Sequence, residues 1–94
     1  ISAKQAKEWG LIWDCVPDEE LMPKAEEIAK KLANGPITGL KEIVKAHDKA
    51  LSGSLSEQLD YEKETQRIRL DSKDFREGVT SFAEKRKPNF KDLD

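Results

Sequence analysis

Three residues near the C-terminal end combine side-chain types suited to a nucleotide: Phe82, Lys85 and Arg86. On a helix they fall at i, i+3 and i+4 and share a face. An aromatic ring beside an ammonium and a guanidinium suits a ligand with an adenine ring and phosphates. The ring stacks or packs, and the cations meet phosphate oxygens. A plainer account is a core phenylalanine followed by cations that favour the negative end of a helix. Composition by itself favours the plainer account, because charge runs are usually solvated surface.

The other chemistry-bearing residues form no constellation. His47 lies on the apolar stripe of a helix with no Cys or Asp at a ligand spacing, which points to a structural side chain. Cys15 has no nearby base and reads as an inert small apolar residue. One Cys and one His allow neither an internal disulfide nor a structural zinc site within this chain. None of the 19 carboxylates stands in a motif that marks a general acid or base. Trp9 and Trp13 read as packing residues. Gly78 inside a helix points to close approach of a neighbouring helix.

Five helices and one extended stretch must position these residues. Ser2 caps a short helix to Glu8, stopped by Gly10. Leu11 to Val16 is rich in β-formers and has strand length, yet nothing else in the chain looks like a partner strand. The second helix ends near Ala33, with Pro23 close to its ordered start. Asn34-Gly35-Pro36 breaks it from a third, Ile37 to Leu51, striped by Ile37, Leu40, Ile43, Val44, His47 and Leu51. Ser54 and Glu57 form a capping box for a fourth, weakly apolar helix to about Arg69. Asp71-Ser72 caps a fifth, expected from Lys73 to Arg86, and Pro88 bars its continuation. The fold class is all-α: a small orthogonal bundle of four or five helices with one short extended segment.

Ninety-four residues make one small domain at most. Basic and acidic residues nearly balance, 17 against 19, so there is no global attraction to nucleic acid or an anionic membrane. No apolar run approaches the ~20 residues of a membrane span. The N-terminus lacks signal-peptide character, and a reducing, cytoplasmic setting fits the cysteine usage. The opening at Ile1, directly on a helix start, reads as a cut through a longer protein or as a processed chain.

The segment Asp74 to Phe90 fits D-x-x-E-G-x-x-x-F-x-E-K-R-x-P-x-F. It resembles the C-terminal end of the crotonase (enoyl-CoA hydratase/isomerase) superfamily. Ser2-Ala3-x-x-Ala6-x-x-x-Gly10-Leu11 is similar to that family's helix-to-strand step, Val16-Pro17 to its exit, and Leu32-Ala33-Asn34-Gly35-Pro36 to its helix break. Trp9-Gly10-Leu11-Ile12-Trp13, the run Glu57 to Glu62, and Gln66-Arg67 lean toward the phenylacetyl-CoA epoxide isomerase branch.

The resemblance implies the helical C-terminal subdomain of an α/β acyl-CoA enzyme. Phe82 and Lys85 would approach the adenosine and 3′-phosphate of coenzyme A, with Arg86 as an electrostatic neighbour. The segment would also cover the active site and help build a trimer, or a hexamer of two trimers. The oxyanion-hole loops and catalytic carboxylates would lie before Ile1, so no catalytic residue, metal or further cofactor is expected here. A second reading is a freestanding helical module that binds a partner protein.

Overall fold

The computed structural model describes residues 1–91 and Leu93. Five α-helices and one 3₁₀ turn account for the regular structure: α1 Ala3–Glu8, the turn Asp18–Glu20, α2 Leu21–Ala33, α3 Ile37–Ala50, α4 Leu55–Leu70 and α5 Lys73–Ala83. Two compact units divide the chain, Ile1–Lys31 and Leu32–Asp94.

The first unit begins on a capped helix. Ser2 Oγ accepts the Gln5 amide at 3.1 Å and satisfies a donor that α1 cannot. Gly10 closes α1 at φ 74°, with its amide bonded to the Lys7 carbonyl and the Leu11 amide to the Ala6 carbonyl. These two bonds form a Schellman motif, and glycine takes its left-handed position without a Cβ penalty. Leu11 to Val16 forms no strand; bends and irregular backbone replace it. The β-formers are present, but among the described residues no second strand offers them a ladder. Asp14 organises the segment instead: its Oδ1 accepts the Cys15 amide at 2.7 Å and the Lys7 ammonium at 2.5 Å. Pro23 sits in the first turn of α2, where its missing N–H costs no helical bond.

The second unit is built on α4, which packs against α3 and α5. The Ser54–Glu57 capping box is complete, at 3.2 Å and 2.8 Å. Helix α4 has almost no apolar side. Polar pairs sustain it: Arg67 donates twice to Glu64, and Gln58 Nε2 donates both to Glu62 and to the Ala46 carbonyl of α3. Lys49 of α3 lies 5.2 Å from the Tyr61 ring centre, a cation–π contact between the two helices.

Burial is sparse. Among the described residues Ala6 alone qualifies as a buried apolar side chain. The stripe of α3 is real but uncovered: Ile37, Ile43 and Val44 are all exposed. Each forgoes roughly half of the ~1.5–3 kcal/mol that full burial of such a side chain contributes. Trp9 and Trp13 are likewise exposed rather than packed. Among the described residues, nothing beyond the chain neighbours and its own helix backbone comes within 4 Å of where a Cβ on Gly78 would sit, so the close approach expected there is not seen. His47 is exposed and not part of any packed stripe.

Candidate functional site

The site residues gather where α5 ends. Ser72 starts the helix by accepting the Phe75 amide at 3.2 Å. Two polar residues are its most buried, Asp74 and Ser81, and the Ser81 hydroxyl donates to the Gly78 carbonyl at 3.0 Å. The helix stops at Ala83, not at Arg86 as its composition suggests. The Lys85 amide bonds to the Phe82 carbonyl at 3.2 Å and the Arg86 amide to the Ser81 carbonyl at 3.0 Å. That is the same Schellman pair that ends α1, with a lysine in the left-handed position at φ 53°.

A polar clasp follows the turn. Arg86 forks onto Glu77, with Nη1 to Oε1 at 2.6 Å and Nη2 to Oε2 at 3.2 Å, and its Nε reaches Glu84. Glu77 Oε1 also accepts the Asn89 amide at 2.8 Å. The chain beyond α5 is thereby folded back along the helix. The Glu77 side chain is only 19% exposed and that of Arg86 41%. The Arg86 hydrogen bonds, then the Asn89 amide, lower the Glu77 carboxyl from the ordinary 4.5 to about 2. The same contact raises Arg86 further above its already high range.

The expected trio is therefore only partly assembled. Phe82 lies in the last turn of α5, 86% exposed. Lys85 is exposed one residue past the helix cap, and among the described residues no carboxylate pairs with its ammonium. The helical face that was to unite Phe82, Lys85 and Arg86 does not exist, because the helix has ended before Lys85. Arg86 spends its donors on Glu77, Glu84 and the Lys87 carbonyl. What remains for a ligand is one exposed ring and one exposed ammonium at a hydrogen-bonded turn. Such a pair can meet a heteroaromatic base and a phosphate.

Glu77 and Asn89 are the residues that reading the sequence overlooked. By sequence alone a glutamate at position 77 reads as a solvated or cap-stabilising helix charge. The signal was a carboxylate and a guanidinium nine positions apart across a helix end.

A groove of about 330 Å³ lies beside the clasp, lined by Pro36, Leu70, Asp74, Phe75 and Phe90 among others. Asp74 is 8% exposed, and the buried Arg69 Nη1 nearby on the same lining has no partner among the described residues.

The fold and the sequence together fit one class of protein, the crotonase superfamily. The family model for enoyl-CoA hydratase/isomerase matches residues 1–93, and the chain belongs to that family. It is 46% identical over 90 residues to 1,2-epoxyphenylacetyl-CoA isomerase of Escherichia coli, covering 96% of this chain and 34% of that protein. It is 40% identical over 95 residues to mitochondrial enoyl-CoA hydratase of Pongo abelii, covering 98% and 32%. The fold matches an enoyl-CoA hydratase from Geobacillus kaustophilus at TM-score 0.84 and 33% identity, over 99% of this chain and 35% of that one. The chain thus spans about one third of the length of these relatives. No helix among the described residues is long and apolar enough to cross a membrane.

Proposed function

We propose that this chain forms the C-terminal third of an acyl-CoA hydratase or isomerase and supplies the contact to the nucleotide end of coenzyme A. Lys85 meets the 3′-phosphate and Phe82 packs against the adenine. The carrying observation is the exposed Lys85 ammonium, without a carboxylate partner among the described residues, in a left-handed turn just past an exposed Phe82. The reacting thioester is handled elsewhere: paired backbone amides stabilise the enolate oxygen and a carboxylate moves protons, both in the preceding part of the enzyme. The uncovered apolar faces of α2 and α3 dock on that part and on neighbouring subunits of a trimer, and the helices help cover the active site. The likeness to 1,2-epoxyphenylacetyl-CoA isomerase favours an acyl group from aromatic-ring breakdown; the cysteine usage fits a reducing, cytoplasmic setting.

The test uses a chimera in which residues 1–94 replace the matched region of the Escherichia coli isomerase. A remote phosphate contact binds ground and transition states alike, so Lys85→Ala raises KM and leaves kcat nearly unchanged. One exposed contact of ~1–2 kcal/mol corresponds to a roughly fivefold to thirtyfold rise in KM. A thioester lacking the 3′-phosphate shows little of this rise. An unchanged KM, or an equal rise on both thioesters, overturns the assignment. The 94-residue chain alone should give no turnover of crotonyl-CoA above buffer.

A further inference from the structure

We infer that Glu77 is a positioning residue for the nucleotide contact: by gripping Arg86 and the Asn89 amide it holds Lys85 in its left-handed turn. The inference rests on the coenzyme A reading above and adds to it the group that aims the cation.

At the end of α5 the backbone conflicts with the preference of its own residues. Glu84, Lys85 and Arg86 are all good helix formers. Pro88 bars only its own residue and disfavours Lys87, so the helix has licence to run to Arg86. It stops at Ala83 and places a lysine at φ 53°, where a residue with a Cβ is disfavoured. Local preference therefore opposes the observed turn, and something else must hold it.

Among the described residues the clasp is the set of contacts that spans this turn, and helix geometry shows what it decides. In an uninterrupted helix, nine residues separate Glu77 and Arg86 by about 900° of rotation, two and a half turns, and roughly 13.5 Å of rise. They would stand on opposite faces. The observed 2.6 Å contact can form only when the helix has ended between them. Clasp and helical continuation are thus mutually exclusive, and each fixes a different place for Lys85. Glu77 reinforces the choice through the Asn89 amide at 2.8 Å, which a helix running to Arg86 would carry away from it. Arg86, a candidate for the phosphate itself, serves this grip instead.

Charge and position make opposite predictions for Glu77→Gln. Removing an anion near a phosphate site by charge alone tightens binding. Releasing the turn weakens it. In the chimera, Glu77→Gln should raise KM roughly threefold to tenfold for the 3′-phosphorylated thioester with kcat held, and barely for the thioester lacking that phosphate. Arg86→Lys, which keeps the cation but loses the fork, should do the same. A lowered KM for Glu77→Gln would assign it a purely electrostatic influence and overturn the positioning role.

The same variants can be read without any catalysis. In the 94-residue chain a strong intraresidue amide–Hα nuclear Overhauser effect marks the positive φ of Lys85. It should weaken in Glu77→Gln and in Arg86→Lys, as helical signals extend past Ala83. If Lys85→Ala leaves KM unchanged, the nucleotide reading fails. If Lys85→Ala raises KM while Glu77→Gln leaves both KM and the Overhauser effect as they were, the positioning role alone fails.

Discussion

Helices α1 and α5 end in the same pair of hydrogen bonds, and they reach it by different means. At α1 the left-handed residue is Gly10, and the motif needs no support beyond itself. At α5 it is Lys85, and a forked ion pair and a captured backbone amide surround the turn. The polarity of the flanking pairs is reversed as well. In the first unit the helix carries the cation, Lys7, and the following segment the anion, Asp14. In the second, the helix carries Glu77 and the segment Arg86. A turn that only has to stop a helix can be left to glycine. A turn that must also present an ammonium has to accept a Cβ, and so needs tertiary bonds to hold it.

This contrast is open to direct attack. The largest effect should come from Gly10→Val, which forces a β-branched side chain into the left-handed region. We expect about 2 kcal/mol less protection of the α1 amides in hydrogen exchange, since that conformation costs about 1–2 kcal/mol even for an unbranched residue. Among the described residues nothing beyond the chain neighbours lies within 4 Å of a Cβ at Gly10, so the loss would report backbone strain and not a clash. Lys85→Gly should act with the opposite sign. Strain is relieved, unfolded-state freedom is gained, and a net gain of roughly 0.5 kcal/mol at the end of α5 remains. The same variant should bind acyl-CoA more weakly. A loss of stability at Lys85→Gly would mean that the lysine side chain itself supports the turn.

Acid should separate the two ends next. The Glu77 carboxyl is depressed to about 2, so its contribution is fully present above the ordinary 4.5 and is lost as the pH falls through 2. The Asn89 amide shift should therefore titrate with a midpoint near 2; a midpoint near 4.5 would show that the carboxylate is not gripped. Asp14 is also lowered, first by its bond to Lys7 and then by the Cys15 amide, so the first unit too should loosen on acidification and not on alkalinisation within the carboxylate range. The smallest effect is expected from salt. Raising ionic strength should weaken the single Lys7–Asp14 contact before it disturbs the two-pronged Arg86–Glu77 pair.

What could be read from the residues alone follows the range of the forces. Helix starts at Ser2, Ser54 and Ser72 were legible because a hydroxyl and an amide three residues on decide them locally. The stop at Gly10 was legible for the same reason. The stop at Ala83 was not, because no residue type announces it. It is set by a contact from Glu77 to Arg86 and Asn89, across nine and twelve positions. The stretch Leu11 to Val16 shows the converse. Its β-formers expressed a local preference, and with no neighbour to pair, it took an irregular path. The stripe of α3 was read correctly as a pattern, yet a pattern says which face seeks cover and not whether this chain provides it. The residues proposed for the nucleotide contact were suggested by likeness to a family motif. The geometry first assigned to them, three side chains on one helical face, is replaced by a turn.

The uncovered side of α3 carries a practical corollary for mutational tolerance. Ile37, Ile43 and Val44 are wetted in this chain, so polar replacements there should barely trouble its helices. In an assembled enzyme, the same replacements would fall wherever another surface presses on them. Scoring one library of variants twice, once for the helicity of these 94 residues and once for activity of the whole enzyme, would leave a residue-by-residue imprint of the absent surface. The positions where the two scores diverge would trace its outline.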